Sequence, residues 1–124
     1  MTQEEIKERN KEISLMLGWR ETSAHKRDQY GYYQCVEGYS TPYRNTLDAQ
    51  AVEYQYDKNA FATGDLQFHS DWNWLMMAIR FLHKHFESKE RSWISIERHP
   101  LYTDIETVFV VVSDFAKHYN EGKL

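Results

Sequence analysis

Apolar residues recur at helical spacing in three separate stretches of the chain. In the first, Ile6, Ile13, Met16 and Leu17 share one face, Thr2 and Glu5 form a capping-box pattern, and Gly18 stands where a helix would stop. Glu5 with Arg9 and Glu8 with Lys11 are spaced to pair on the outer face. In the second, Leu75, Ile79, Leu82 and Phe86 form a core stripe, Asn73, Arg80, Lys84 and Glu87 mark the opposite face, and Met77 is the exception there. Its opening turns, with Trp72 and Trp74, are apolar nearly all round, which suits a sandwiched helix or an interface; Ser70 is the expected N-cap. In the third, Ile105, Val108, Phe109, Val112, Phe115, Ala116 and Tyr119 follow a Thr103–Glu106 capping pattern. The run from Val108 to Val112 has strand propensity, but the cap, the Asp114–Lys117 pair and Gly122 favour a helix. Helices are therefore expected near residues 3–17, 71–87 and 104–120.

Strand signals are weaker. Tyr32–Val36 and Ala51–Tyr56 are aromatic or β-branched and bounded by turn formers, and Trp93–Glu97 alternates before His99 and Pro100. Leu66 and Phe68 alternate with Gln67 and His69 and read as a short strand passing into the second helix. The expected fold is one α+β domain over residues 1–124. Three helices pack around a small, mainly antiparallel sheet in the order α-β-β-α-β-α, with Ile94, Ile96 and Ile105 joining the apolar stripes in the core.

Composition narrows the function classes. A formal net charge of −4 offers no general attraction to nucleic acid or anionic membrane. No apolar run approaches a membrane span, and the start of the chain does not read as a secretion signal. One cysteine, Cys35, makes no internal disulfide, so the expected compartment is the cytoplasm. Nine tyrosines and four tryptophans are many for 124 residues, and they suit half-buried sheet faces as well as contact surfaces.

No catalytic constellation stands out. His83 and His85 sit about 200° apart around a helix and cannot share an ion there. Phosphate loops, nucleophile elbows and thiolate clusters are absent from the sequence, and no metal, cofactor or catalytic residue is assigned. The remaining candidates are ligand-binding ones. His69, beside a helix start, is expected near the long Glu37–Gln50 segment with Tyr39, Tyr43 and Arg44, where free N–H groups would suit an anion. Separately, Trp93 with Arg80 and Lys84 lies in a locally basic stretch that suits base stacking and phosphate contact.

Two segments, Leu66 to Met76 and Asp104 to Glu121, together with Leu17-Gly18-Trp19, resemble a group of short uncharacterised proteins of phages, prophages and mobile elements in gut Bacteroidetes-type bacteria. The arrangement is similar to small helix–sheet–helix sandwich domains of phage proteins. The matching segments cover about half the chain, which departs from the group with Asp71 inserted before Trp72, Asn73 in place of aspartate and Met77 in place of proline. The resemblance implies no known activity, cofactor or catalytic residue. A non-enzymatic accessory role is expected because no catalytic constellation accompanies the surplus of aromatic and methionine residues, Met77 included. The same surplus leads to an expected protein-contact function as a homo-oligomer with an unknown protein partner. A small nucleotide or single-stranded nucleic-acid binding module is the alternative.

Overall fold

Thr2 opens the first helix by accepting the Glu5 N–H on its hydroxyl at 3.2 Å, and Gly18, at φ 78°, ends it in the left-handed region that a side chain would strain. The structure is a computed structural model and describes residues 1–40, 60–88 and 104–123. Among these residues the order is α1 (Gln3–Met16), β1 (Arg20–Arg27), β2 (Tyr33–Ser40), β3 (Ala60–Ala62), a 3-10 turn (Thr63–Asp65), α2 (Trp72–Ser88) and α3 (Ile105–Asn120). The fold is α+β, with three helices and a three-stranded antiparallel sheet among the described residues. The expected strands Ala51–Tyr56 and Trp93–Glu97 lie outside the described residues, as do Ile94 and Ile96. No helix among those described is long and apolar enough to cross a membrane.

The described residues fall into two compact units, 1–17 with those from 67 on, and 18–66. In the helical unit the apolar stripes are buried: Ile13 and Met16 of α1, Leu75, Ile79, Leu82 and Phe86 of α2, and Val108, Phe109 and Val112 of α3. Val108 to Val112 is helical, so the cap and the periodicity prevail over β-branched propensity. Ile105, expected in the core, is only half-buried in the first turn of α3.

Both later caps move by one residue. Asp71, not Ser70, caps α2, accepting the Asn73 N–H at 2.8 Å on its carboxylate and the Leu75 N–H on its carbonyl. Asp104 caps α3 in the same way through Glu106 N–H at 3.0 Å, and also accepts the Thr107 hydroxyl at 2.6 Å. Thr103 lies outside the described residues. At the far end, Gly122 N–H bonds to Tyr119 O and Lys123 N–H to His118 O, the paired closure of a Schellman cap. Trp74 is fully buried and edge-on to Phe68 at 5.2 Å, whereas Trp72 is exposed because it occupies the outer side of the first turn.

Arg9 also departs from expectation. Rather than pairing along its own helix with Glu5, its Nη1 crosses to α3 and donates to Ser113 Oγ and Asp114 Oδ1 at 2.8 Å and to Val110 O at 3.3 Å. Asp114, expected to pair with Lys117, thus accepts from α1 instead. Further along the same seam Asn120 Nδ2 donates to the Glu12 carbonyl at 2.8 Å and to its carboxylate at 2.7 Å. An aromatic seam joins α2 to α3: Phe86 meets Phe115 and Phe81 meets Tyr119, both edge-on.

The β unit starts with a strand that sequence pattern conceals. Arg20–Arg27 is polar, and its pairing with β2 rather than propensity makes it a strand. Thr22 and Ala24 point to one face with Val36 and Gly38 opposite them, and with Ala60 and Ala62 on β3. Tyr39 and Phe61 are opposite each other on the other face, where Phe61 also stacks on Trp19 at 6.4 Å. Gly38 is required by close approach: a Cβ there would collide with the Phe61 carbonyl and lie 2.9 Å from the Ala24 Cβ. Gly38→Ala is expected to destabilise the protein by about 1–3 kcal/mol in urea melts, since backbone must shift to make room. An unchanged midpoint would contradict this register.

Candidate functional site

Between β1 and β2 the chain turns through Asp28-Gln29-Tyr30-Gly31-Tyr32, and one carboxylate organises the turn. Asp28 Oδ1 accepts the N–H of Tyr30 at 2.8 Å and that of Tyr32 at 3.0 Å, while Oδ2 accepts Gln34 Nε2 at 3.2 Å. Backbone bonds complete it, with Gly31 N–H on Asp28 O at 3.1 Å and Asp28 N–H on Tyr32 O at 2.8 Å. Aspartate at the first position accepts N–H groups two and four residues on, and Gly31, at φ 84°, supplies the left-handed residue at the fourth.

The consequence is a pair of tyrosines held away from the sheet. Tyr30 is 75% and Tyr32 73% exposed, the two most exposed large apolar side chains among the described residues. Their backbone groups are bound, and no hydrogen bond among the described residues uses their hydroxyls. A tyrosine carries much contact area on few rotatable bonds, so fixing its backbone in advance lowers the entropy lost when a partner covers it. In the sequence Tyr30 is one of nine tyrosines and Tyr32 opens the expected strand Tyr32–Val36, whereas β2 begins at Tyr33 and leaves Tyr32 in the turn. The signal available was the Asp-x-x-Gly spacing around them.

The nominated residues are placed differently. Tyr39 is fully buried in the β unit, with its hydroxyl donating to Glu21 Oε1 at 3.2 Å. Its polar handle therefore serves the sheet rather than a ligand. Tyr43, Arg44 and Trp93 lie outside the described residues. Arg80 and Lys84 are both exposed on α2, one turn apart.

His69 is half-buried in the helical unit. Its Nδ1 lies 3.0 Å from Asn10 Nδ2 on α1, and its ring meets Phe109 of α3 edge-on at 5.9 Å. Burial lowers its pKa from the ordinary 6.5. The strand expected ahead of α2 is instead a turn, with Ser70 and Asp71 N–H groups on Gln67 O. The Asp71 carboxylate occupies the positive helix end, and like charge there opposes the anion site that sequence suggested.

An open groove of about 330 Å³ runs along the α1–α3 seam, lined by Glu5, Glu8, Arg9, Glu12, Ser113, Asp114 and Lys117. Its central guanidinium is already committed to α3. Among the described residues no three His, Cys, Asp or Glu side chains converge as a metal site. No family model, no curated protein and no solved structure matches the chain.

Asp28→Ala removes both carboxylate oxygens at once. It is expected to lower stability by about 1–2 kcal/mol, the scale of charge-assisted bonds to backbone N–H at a solvent-facing turn. Denaturant melts with amide exchange at Tyr30 and Tyr32 check this: protection at the two amides should fall, and unchanged protection would count against the carboxylate as the organiser.

Proposed function

We propose that the protein acts through protein–protein contacts, with Tyr30 and Tyr32 as anchors presented by the β1–β2 turn. The observation that carries this reading is the combination of high exposure with a backbone fixed by Asp28. Aromatic side chains of this kind, above all tyrosine, are enriched in interfaces and among the residues that dominate their binding energy. We further propose a non-enzymatic accessory role in a phage or mobile element and action in the cytoplasm. The first rests on the resemblance of Leu66–Met76 and Asp104–Glu121, the second on the lone cysteine. The first partner to test is a second copy of the chain.

Exposed tyrosine faces also suit a nucleobase, which keeps a small nucleotide or single-stranded nucleic-acid binder as the second reading. The net charge of −4 weighs against a polyanion.

The test compares the wild type with the double variant Tyr30→Ser, Tyr32→Ser. In sedimentation equilibrium the wild type should associate as concentration rises. The double variant should bind itself at least tenfold more weakly, about 1.4 kcal/mol or more, with its melting midpoint unchanged. Equal association of the two proteins would remove the tyrosines from the interface. A wild type that stays monomeric, with tyrosine fluorescence that responds to oligonucleotides at low salt, would overturn the protein reading in favour of the second.

A further inference from the structure

One titratable ring in the helical unit stands where two helices and a turn meet. His69 precedes α2, touches Asn10 of α1 through Nδ1 and lies against Phe109 of α3. Asn10 is 1% exposed and Phe109 fully buried. An amide nitrogen can only donate, so Nδ1 accepts here and the ring carries its proton on Nε2. In this arrangement the imidazole is neutral.

A proton added at Nδ1 reverses that role. Two N–H groups then oppose each other across 3.0 Å, and a charge appears beside the Phe109 ring. Among the described residues Asn10 of α1 and Phe109 of α3 contact the ring, and neither carries a charge that would offset the proton. Asp71, two residues on, has its carboxylate engaged as the α2 cap on Asn73 N–H. The α1–α3 seam is held separately, by Asn120 on the Glu12 carbonyl and carboxylate and by Arg9 on the Val110 carbonyl, the Ser113 hydroxyl and the Asp114 carboxylate. Carbonyl and hydroxyl acceptors that do not titrate with His69 thus hold it alongside the two carboxylates.

We propose that the Asn10–His69 hydrogen bond is a proton-operated joint: protonation of His69 frees the turn before α2 from α1 while the α1–α3 seam stays closed. The sign follows from the direction of the His69 shift. Its pKa in the folded protein lies below the ordinary 6.5, so the opened form takes the proton first as pH falls. The joint is at full strength above 6.5, weakens below it, and stops weakening once the folded form is protonated too.

Nuclear magnetic resonance on the full chain tests this between about pH 8 and about pH 5. The His69 ring reports the titration, and the Ser70 and Asp71 amides, which donate to Gln67 O, report the turn. The expected result is a His69 midpoint below 6.5, with protection of both amides falling by up to about tenfold per pH unit between the two. His69→Gln keeps an acceptor for Asn10 without a titrating proton, so its protection should not change with pH beyond the intrinsic exchange chemistry. Asn10→Asp supplies a carboxylate that favours the charged ring, and should move the His69 midpoint above that of the wild type. A wild-type midpoint at or above 6.5 would overturn the proposal, as would an equal loss of protection in His69→Gln. If His69→Gln does not fold, an unmoved midpoint in Asn10→Asp would be decisive against it.

Discussion

A polar group taken out of water must find a partner, at a cost of about 1–3 kcal/mol when it does not, and both units of this protein are arranged around that requirement. In the helical unit the requirement falls on the meeting of α1 with α3. Arg9 reaches residues more than a hundred positions away, donating to a backbone carbonyl, a hydroxyl and a carboxylate. An exposed ion pair alone would contribute little. Here the guanidinium also satisfies Val110 O and Ser113, whose residue is 2% exposed, so the contact gives the seam a register as well as an attraction. Ser14 and Asn10 follow the same rule, the first on the Asn10 carbonyl and the second toward His69.

The same requirement separates residues that look functional from those that are available to a partner. Tyr39 and His69 are chemically versatile, yet each has its polar handle engaged inside its own unit. At the β1–β2 turn the engagement is of the opposite kind. Asp28 takes up the backbone N–H groups and leaves the Tyr30 and Tyr32 side chains outward. Order is supplied by the main chain, and contact area by the side chains.

How much of this was legible in the sequence follows from the range of the forces involved. The three helices were, because amphipathic period, caps and terminal glycines are local signals that agree with one another. Caps shifted by one residue because Ser70 and Asp71, and Thr103 and Asp104, are adjacent candidates, and local preference does not rank them. β1 was not legible: Arg20 to Arg27 has the composition of a solvated segment, and only its ladder with β2 makes it a strand. The reverse error arose at Leu66 to His69, where alternation over so few residues also fits a turn with two buried anchors, Leu66 and Phe68. Candidate residues were chosen for their chemistry, and chemistry alone does not say whether a group is already bound. That depends on contacts such as Glu21 with Tyr39 and Asn10 with His69, which join residues far apart along the chain.

The account stands on the Tyr30 and Tyr32 backbone being ordered before any partner arrives. Backbone nitrogen-15 relaxation on the free protein measures this directly. The account predicts order parameters of about 0.85 at both amides, as in a rigid sheet; values below about 0.6 would describe a flexible tip and contradict it.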